Sequence, residues 1–210
     1  MNRLFSRLIR CNVAASSAEF AMVAPLMVLM IFGIIDVGRL MWELNQAEKA
    51  TQLGARFAVV TTPVSNGIVT ADYANSALDA GDLIPADRLG ALKCTSSGCT
   101  CVSTCPEITD MSVNSTAFNA IVTRMQVFKP DVAAANVEVT YRGSGFGYAG
   151  DAGGTGGGAP PETMEISPLV TVSLTGLTYS PLISLFFADL PLPAFSTTLP
   201  AEDASGAVSN

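Results

Sequence analysis

The chain contains no histidine. That removes the commonest general base and the commonest metal ligand. No nucleophile motif stands in for it, so an enzymatic role ranks last among the readings of this sequence. A basic footprint is also missing, since after residue 40 acidic side chains outnumber basic ones by more than two to one. Binding to nucleic acid needs such a footprint, and none is expected here. No internal repeat is visible.

Charge is absent altogether between Phe20 and Ile35, and this gap is the most informative feature of the chain. Residues 19–40 read EFAMVAPLMVLMIFGIIDVGRL. A bilayer core about 30 Å thick takes about 20 mostly apolar residues of helix. Asp36 and Arg39 follow where such a helix meets the headgroups. Before Glu19 the charged residues are Arg3, Arg7 and Arg10, all basic. Positive flanks stay in the cytoplasm. The N-terminus is therefore expected inside, and the acidic bulk of the chain outside.

A cleaved secretory signal also has basic residues before an apolar core, but it needs small residues just after that core. Here the core runs into Asp36, Arg39, Met41, Trp42 and Glu43. The small residues 13–18 lie before the core instead. An anchor fits better than a signal peptide.

The helix is expected to continue beyond the membrane. Leu40, Leu44, Ala47, Ala50, Leu53, Ala55 and Ala58 recur at helical spacing, with Glu43, Glu48 and Lys49 on other faces. No strong breaker precedes Pro63. Gly54 costs about 1 kcal/mol against alanine, which a long helix tolerates. One helix over 17–60 follows, roughly 65 Å long at 1.5 Å per residue. It points to a stalk or to packing in a helical bundle.

Beyond it, 62–67 is a turn-rich break, and 71–80 reads as a short helix ended by Gly81. Residues 85–105 read as loop. In 115–130, Phe118, Ile121, Val122, Met125 and Phe128 share one helical face, with Ser115 as cap and Pro130 as stop. That stripe is read as core, with the helix lying on a sheet. Residues 136–142 alternate like a strand, with Val137, Val139 and Tyr141 on one side. A second strand is expected over 169–177 and a last one over 195–199. The glycine-rich stretch 143–161 lacks the following helix and the lysine of a phosphate loop, and reads as a hairpin connection. Residues 182–192 are apolar but too short to span a bilayer. They suit the core, the membrane surface or a partner.

Cys94, Cys99, Cys101 and Cys105 crowd into twelve residues. Zinc sites usually hold two separated pairs of cysteines. An exported, oxidising setting favours two local disulfides and no metal. Three connectivities are open. The short loops argue against adjacent partners and favour Cys94–Cys101 with Cys99–Cys105.

Several of these residues together carry a family likeness: Glu19-Phe20-Ala21, Pro25-Leu26, Phe32-Gly33-Ile34-Ile35-Asp36-x-Gly38-Arg39 and Gly54-Ala55-Arg56. The set resembles the TadE-like family of the tight-adherence, Flp-type pilus machinery. The tail is similar too, with its 118–128 helix, V-x-V-x-Y strand, second strand and Phe195-Ser196-Thr197-Thr198. The resemblance implies a pseudopilin or pilus-assembly protein of the bacterial inner membrane, single-pass, with a periplasmic body. Implied partners are pilus subunits, inner-membrane assembly components and the prepilin peptidase; no cofactor is implied. Subunit association would fall to Glu19, Pro25, Asp36 and Arg39.

Family members that are processed carry glutamate at the fifth mature position. That places the cut between Ala14 and Ala15, ahead of Glu19 and Phe20, with alanine where the family has glycine. After cleavage, Glu19 would pair with the α-amino group of an incoming subunit, because an intramembrane carboxylate needs a partner. Without cleavage it would lie at the cytoplasmic interface, served by water or Arg10.

The expected fold is α+β. Residues 1–18 form a basic cytoplasmic leader and 19–62 a membrane and stalk helix. Residues 63–210 form a helix-on-antiparallel-sheet domain with a disulfide-stapled loop. The favoured role is pilus biogenesis, in the filament or at its base. The alternative is a membrane-anchored periplasmic binding module or adhesin using the glycine-rich and cysteine-stapled loops.

Overall fold

The computed structural model describes residues 12–75, 77–150, 164–182 and 188–201, with side chains from residue 17 onward. Its first element is a single helix, α1, Asn12–Ala58, with Pro25 inside it. The described chain divides into two units: Met1–Glu43 with Tyr179–Leu190, and Leu44–Thr178 with Pro191–Asn210.

In the first unit α1 is apolar, and nearly every large side chain on it is exposed: Met22, Leu26, Met30, Ile34 and Val37 among them. It is a candidate membrane span by length and composition, with none of its most apolar stretch buried. The exception is Asp36, which is 9% exposed. Tyr179 and Leu182 lie against it and are described below.

The second unit is a helix-on-sheet domain. After α1 come α2 (Asn66–Thr70) and α3 (Ala86–Leu89), then β1 (Ala91–Thr95) and β2 (Gly98–Cys101). Helix α4 (Ser115–Gln126) follows, then β3 (Val137–Arg142) and β4 (Leu169–Leu174). A short ribbon of β5 (Thr178–Tyr179) with β6 (Leu190–Pro191) precedes the last strand, β7 (Phe195–Pro200). The five-stranded sheet runs β2-β1-β3-β4-β7, antiparallel throughout.

Alternation decides which face of the sheet is covered. Val137, Val139 and Tyr141 of β3 are buried, as are Val170, Val172 and Leu174 of β4, while the residues between them are partly exposed. The residues of α1 from Leu44 onward and α4 cover that face. Helix α1 uses small residues to do so: Ala47, Ala50, Ala55 and Ala58 are buried. Gly54 is the closest approach, since a Cβ there would stand 2.8 Å from Met125 of α4 and 3.3 Å from Val172 of β4. The approach explains the glycine in mid-helix, for its helical cost is offset by contact that a larger residue would block. Helix α4 contributes Phe118, Ile121, Val122 and Met125 to the core. Tyr141 ties the sheet to the connection that follows α1, its phenol oxygen accepting the Val64 N–H at 2.8 Å.

Several local expectations are corrected. The described residues of 71–80 are not helical: the short helix is α2, capped by Ser65, whose side chain accepts the Ile68 N–H. Downstream of it, Asp72 accepts from the Ala74 N–H and Asn75 from the Ala77 N–H. Such local side-chain bonds offer the backbone an alternative to helix. Helix α4 is capped one residue earlier than expected, by Asn114, which accepts from Ala117 N–H. The helix ends at Gln126, so Phe128 lies beyond it and is 43% exposed.

The 85–105 stretch is not a plain loop. Its β1–β2 hairpin joins the sheet, with Leu92 and Cys94 facing the core. The disulfides are Cys94–Cys99 and Cys101–Cys105, not the crossed pairing that short loops suggested. The hairpin register is the reason. It sets Cys94 directly opposite Cys99, with Cα atoms 3.9 Å apart, and leaves Cys101 to close the turn that follows. Gly90 makes the entry to this hairpin, with φ +63° and Thr104 O where a Cβ would sit. Most of the glycine-rich connection, 151–163, and the apolar residues 183–187 lie outside the described residues.

Candidate functional site: the signature helix and its acidic anchor

The residues singled out in the sequence are spread along α1. Ala14 and Ala15 are helical, and their side chains lie outside the described residues. Glu19 and Phe20 are exposed, and Arg10, the considered partner of Glu19, lies outside the described residues. Pro25 is exposed within the helix. Only Asp36 and Arg39 are brought together, with Arg39 Nη1 3.7 Å from Asp36 Oδ1.

Asp36 is the centre of a small polar knot. The Leu182 N–H donates to Asp36 Oδ1 at 2.8 Å. The Tyr179 hydroxyl lies 3.2 Å from the same oxygen and 3.0 Å from the Asp36 backbone carbonyl, so its one proton is shared between them. The Arg39 guanidinium stands over the Tyr179 ring, 5.7 Å from its centroid. Phenol and amide thus hydrogen-bond the carboxylate, and the cation pairs with it electrostatically, on an otherwise apolar stretch of helix. Each satisfies a charge or dipole that would be costly to leave unpaired. Beside the knot lies an apolar cleft of about 250 Å³ walled by Gly33, Val37, Leu40, Tyr179, Pro181 and Leu190.

Tyr179 and Leu182 are the partners that sequence reading missed. They stand more than 140 positions from Asp36, beyond the reach of any periodicity. The available signal was weak: a tyrosine and a proline opening a short apolar segment.

A second cleft, within the helix-on-sheet unit, is polar. Glu48, Thr51 and Gln52 of α1 face residues 194–197, where Thr197 Oγ1 donates to Thr51 Oγ1 at 3.2 Å. Among the described residues no group of three or more histidine, cysteine, aspartate or glutamate side chains is placed to hold a metal.

Residues 14–56 match the family model described as TadE-like protein. The matched TadE-like segment contains Glu19, Pro25, Asp36, Arg39 and the sheet-contacting Gly54. It therefore covers both the exposed apolar half of α1 and the half that packs on the sheet. The 179–190 segment that caps Asp36 falls outside it. No curated protein and no solved structure matches the chain.

Proposed function

We propose that this protein is a non-enzymatic component of pilus biogenesis, a minor pseudopilin or assembly factor of a tight-adherence, Flp-type pilus or a related secretion system. It is a single-pass protein of the bacterial inner membrane, with a cytoplasmic N-terminus and a periplasmic body. The TadE-like match over 14–56 supports involvement in pilus assembly. One observation supports the mode of action: residues 20–35 present large apolar side chains all round the helix, with none of the most apolar stretch covered by the chain itself. A helix that is apolar on every side is a membrane span or a buried helix. Residues 20–35 are thus open to lipid and to the helices of pilus subunits.

Glu19 is the residue proposed to register that association, after cleavage between Ala14 and Ala15. Glu19 stands at the edge of the span, where a carboxylate leaving water needs a partner, so a partner amine is an orienting contact. Glu19→Ala should leave the protein inserted and processed, while co-purification of pilus subunits and surface pilus output fall sharply. Normal output and normal co-purification would reject the association role. A mature protein that still begins at Met1 would reject cleavage and leave the anchored assembly factor.

A further inference from the structure

We infer that Tyr179, Leu182 and Leu190 form a second membrane contact, seated in the leaflet from which α1 emerges, and that its partner is lipid. The inference deepens the reading above and rests on residues 20–40 spanning the bilayer.

Depth carries the argument. About 20 helical residues cross the hydrocarbon. A span begun at Phe20 ends near Arg39, and the interfacial aromatic Trp42, 66% exposed, lies just beyond. Asp36 is thus inside the hydrocarbon edge, about 9 Å along the axis from Trp42. Its neighbours Ile35 and Val37 are open, whereas Asp36 is buried. What buries it is the segment itself, through the Tyr179 hydroxyl and the Leu182 N–H. Groups at hydrogen-bond distance share the depth of the carboxylate they bind. Tyr179 and Leu182 therefore enter the same leaflet.

The outer surface of the segment suits that place. Leu182 is 54% and Leu190 47% exposed, and they continue the lipid-facing surface of α1. The apolar cleft between helix and segment has the lining expected of an acyl-chain contact. Polar groups bound the depth: Asp189, which accepts from Ser180 Oγ at 2.7 Å, is exposed and belongs at the headgroups. Arg39, 46% exposed, reaches outward in the manner of a snorkelling side chain.

The test uses the full chain in vesicles of phosphatidylethanolamine and phosphatidylglycerol. In a Trp42→Phe background, one tryptophan is placed by Leu190→Trp, Leu182→Trp, Ile31→Trp or Leu83→Trp. Each is measured with ordinary lipids and with lipids brominated near the top or near the end of the acyl chain. Leu190→Trp and Leu182→Trp should lose most of their fluorescence to brominated lipid, as Ile31→Trp does, while Leu83→Trp keeps its own. If both segment tryptophans behave like Leu83→Trp while Ile31→Trp is quenched, the segment is outside the bilayer and the inference is overturned with the span intact. If Ile31→Trp also escapes quenching, the span and the inference fall together.

Discussion

The two halves of α1 belong to one helix, yet they are built for different neighbours. Before Glu43 the side chains are large and exposed, as in Met22, Leu26, Met30 and Ile34. After it they are small and buried, as in Ala47, Ala50, Gly54, Ala55 and Ala58. Hydropathy separates them in part, since Asn45, Gln46, Glu48, Lys49, Gln52 and Arg56 bring polar side chains back after Glu43. Size separates the buried faces, because a sheet approaches a helix closely only where side chains are short, while lipid conforms to any shape. Polar residues follow the same division. In the first half the one buried charge, Asp36, is tied by a distant segment of the same unit. In the second, Thr51 is satisfied by its own helix and by Thr197.

That contrast breaks first at the cysteines. The two short disulfide loops belong to the sheet unit, and by chain entropy each bridge contributes about 2 kcal/mol. Reduction should lower the unfolding free energy of the sheet unit by about 4 kcal/mol in all, read from denaturant curves. It should leave lipid protection of the first half of α1 unchanged. Peptide mapping without reductant should recover Cys94 with Cys99 and Cys101 with Cys105, and a crossed pairing would contradict the hairpin register.

Glycine gives the next test, within one helix. Gly54→Leu forces a side chain against Met125 and Val172 and should destabilise the sheet unit by about 3 kcal/mol. Gly38→Leu meets nothing within 4 Å and should stay within about 0.5 kcal/mol, judged by the same unfolding curves. Equal effects at the two positions would erase the distinction between the halves.

Tyr141→Phe is smaller. It leaves the Val64 N–H buried without its acceptor and should cost about 2 kcal/mol. The phenols also set an alkaline limit. Burial raises the pKa of Tyr141, and burial with nearby Glu107 and Glu165 raises that of Tyr73, both above the ordinary 10.0. Below pH 10 both states keep the protons and stability is unaffected. Above it the unfolded chain releases protons that the fold retains. Stability then falls by about 1.4 kcal/mol per pH unit for each phenol, until the folded groups titrate. Unfolding followed across that range should show no loss before pH 10 from this source, and Tyr141→Phe should flatten the decline above it.

Much of this architecture was legible because its causes are local. The charge gap from Phe20 to Ile35 announced the long helix, and the Val137–Val139–Tyr141 alternation announced a strand. The Phe118, Ile121, Val122 and Met125 spacing announced α4. What escaped depends on competition or on distance. Asp72 and Asn75 turned an apparent helix into turns by binding nearby backbone. The cysteine-rich stretch hid a hairpin, since cysteines count as staples before they count as alternating core residues. The Asp36–Tyr179 tie joins groups 143 positions apart, and no pattern within either segment requires the other.

The central claim is that the exposed face of the first half of α1 is covered by lipid. The native methionines report on it without mutation. Met22, Met27 and Met30 are 82%, 57% and 68% exposed on the helix, against 37% for Met111 in the sheet unit. Hydroxyl-radical oxidation of the full chain in proteoliposomes, read by peptide mass spectrometry, should mark Met111 well ahead of the three helix methionines. If Met22, Met27 and Met30 oxidise faster than Met111, as their bare exposure dictates, no bilayer covers them and the account is contradicted.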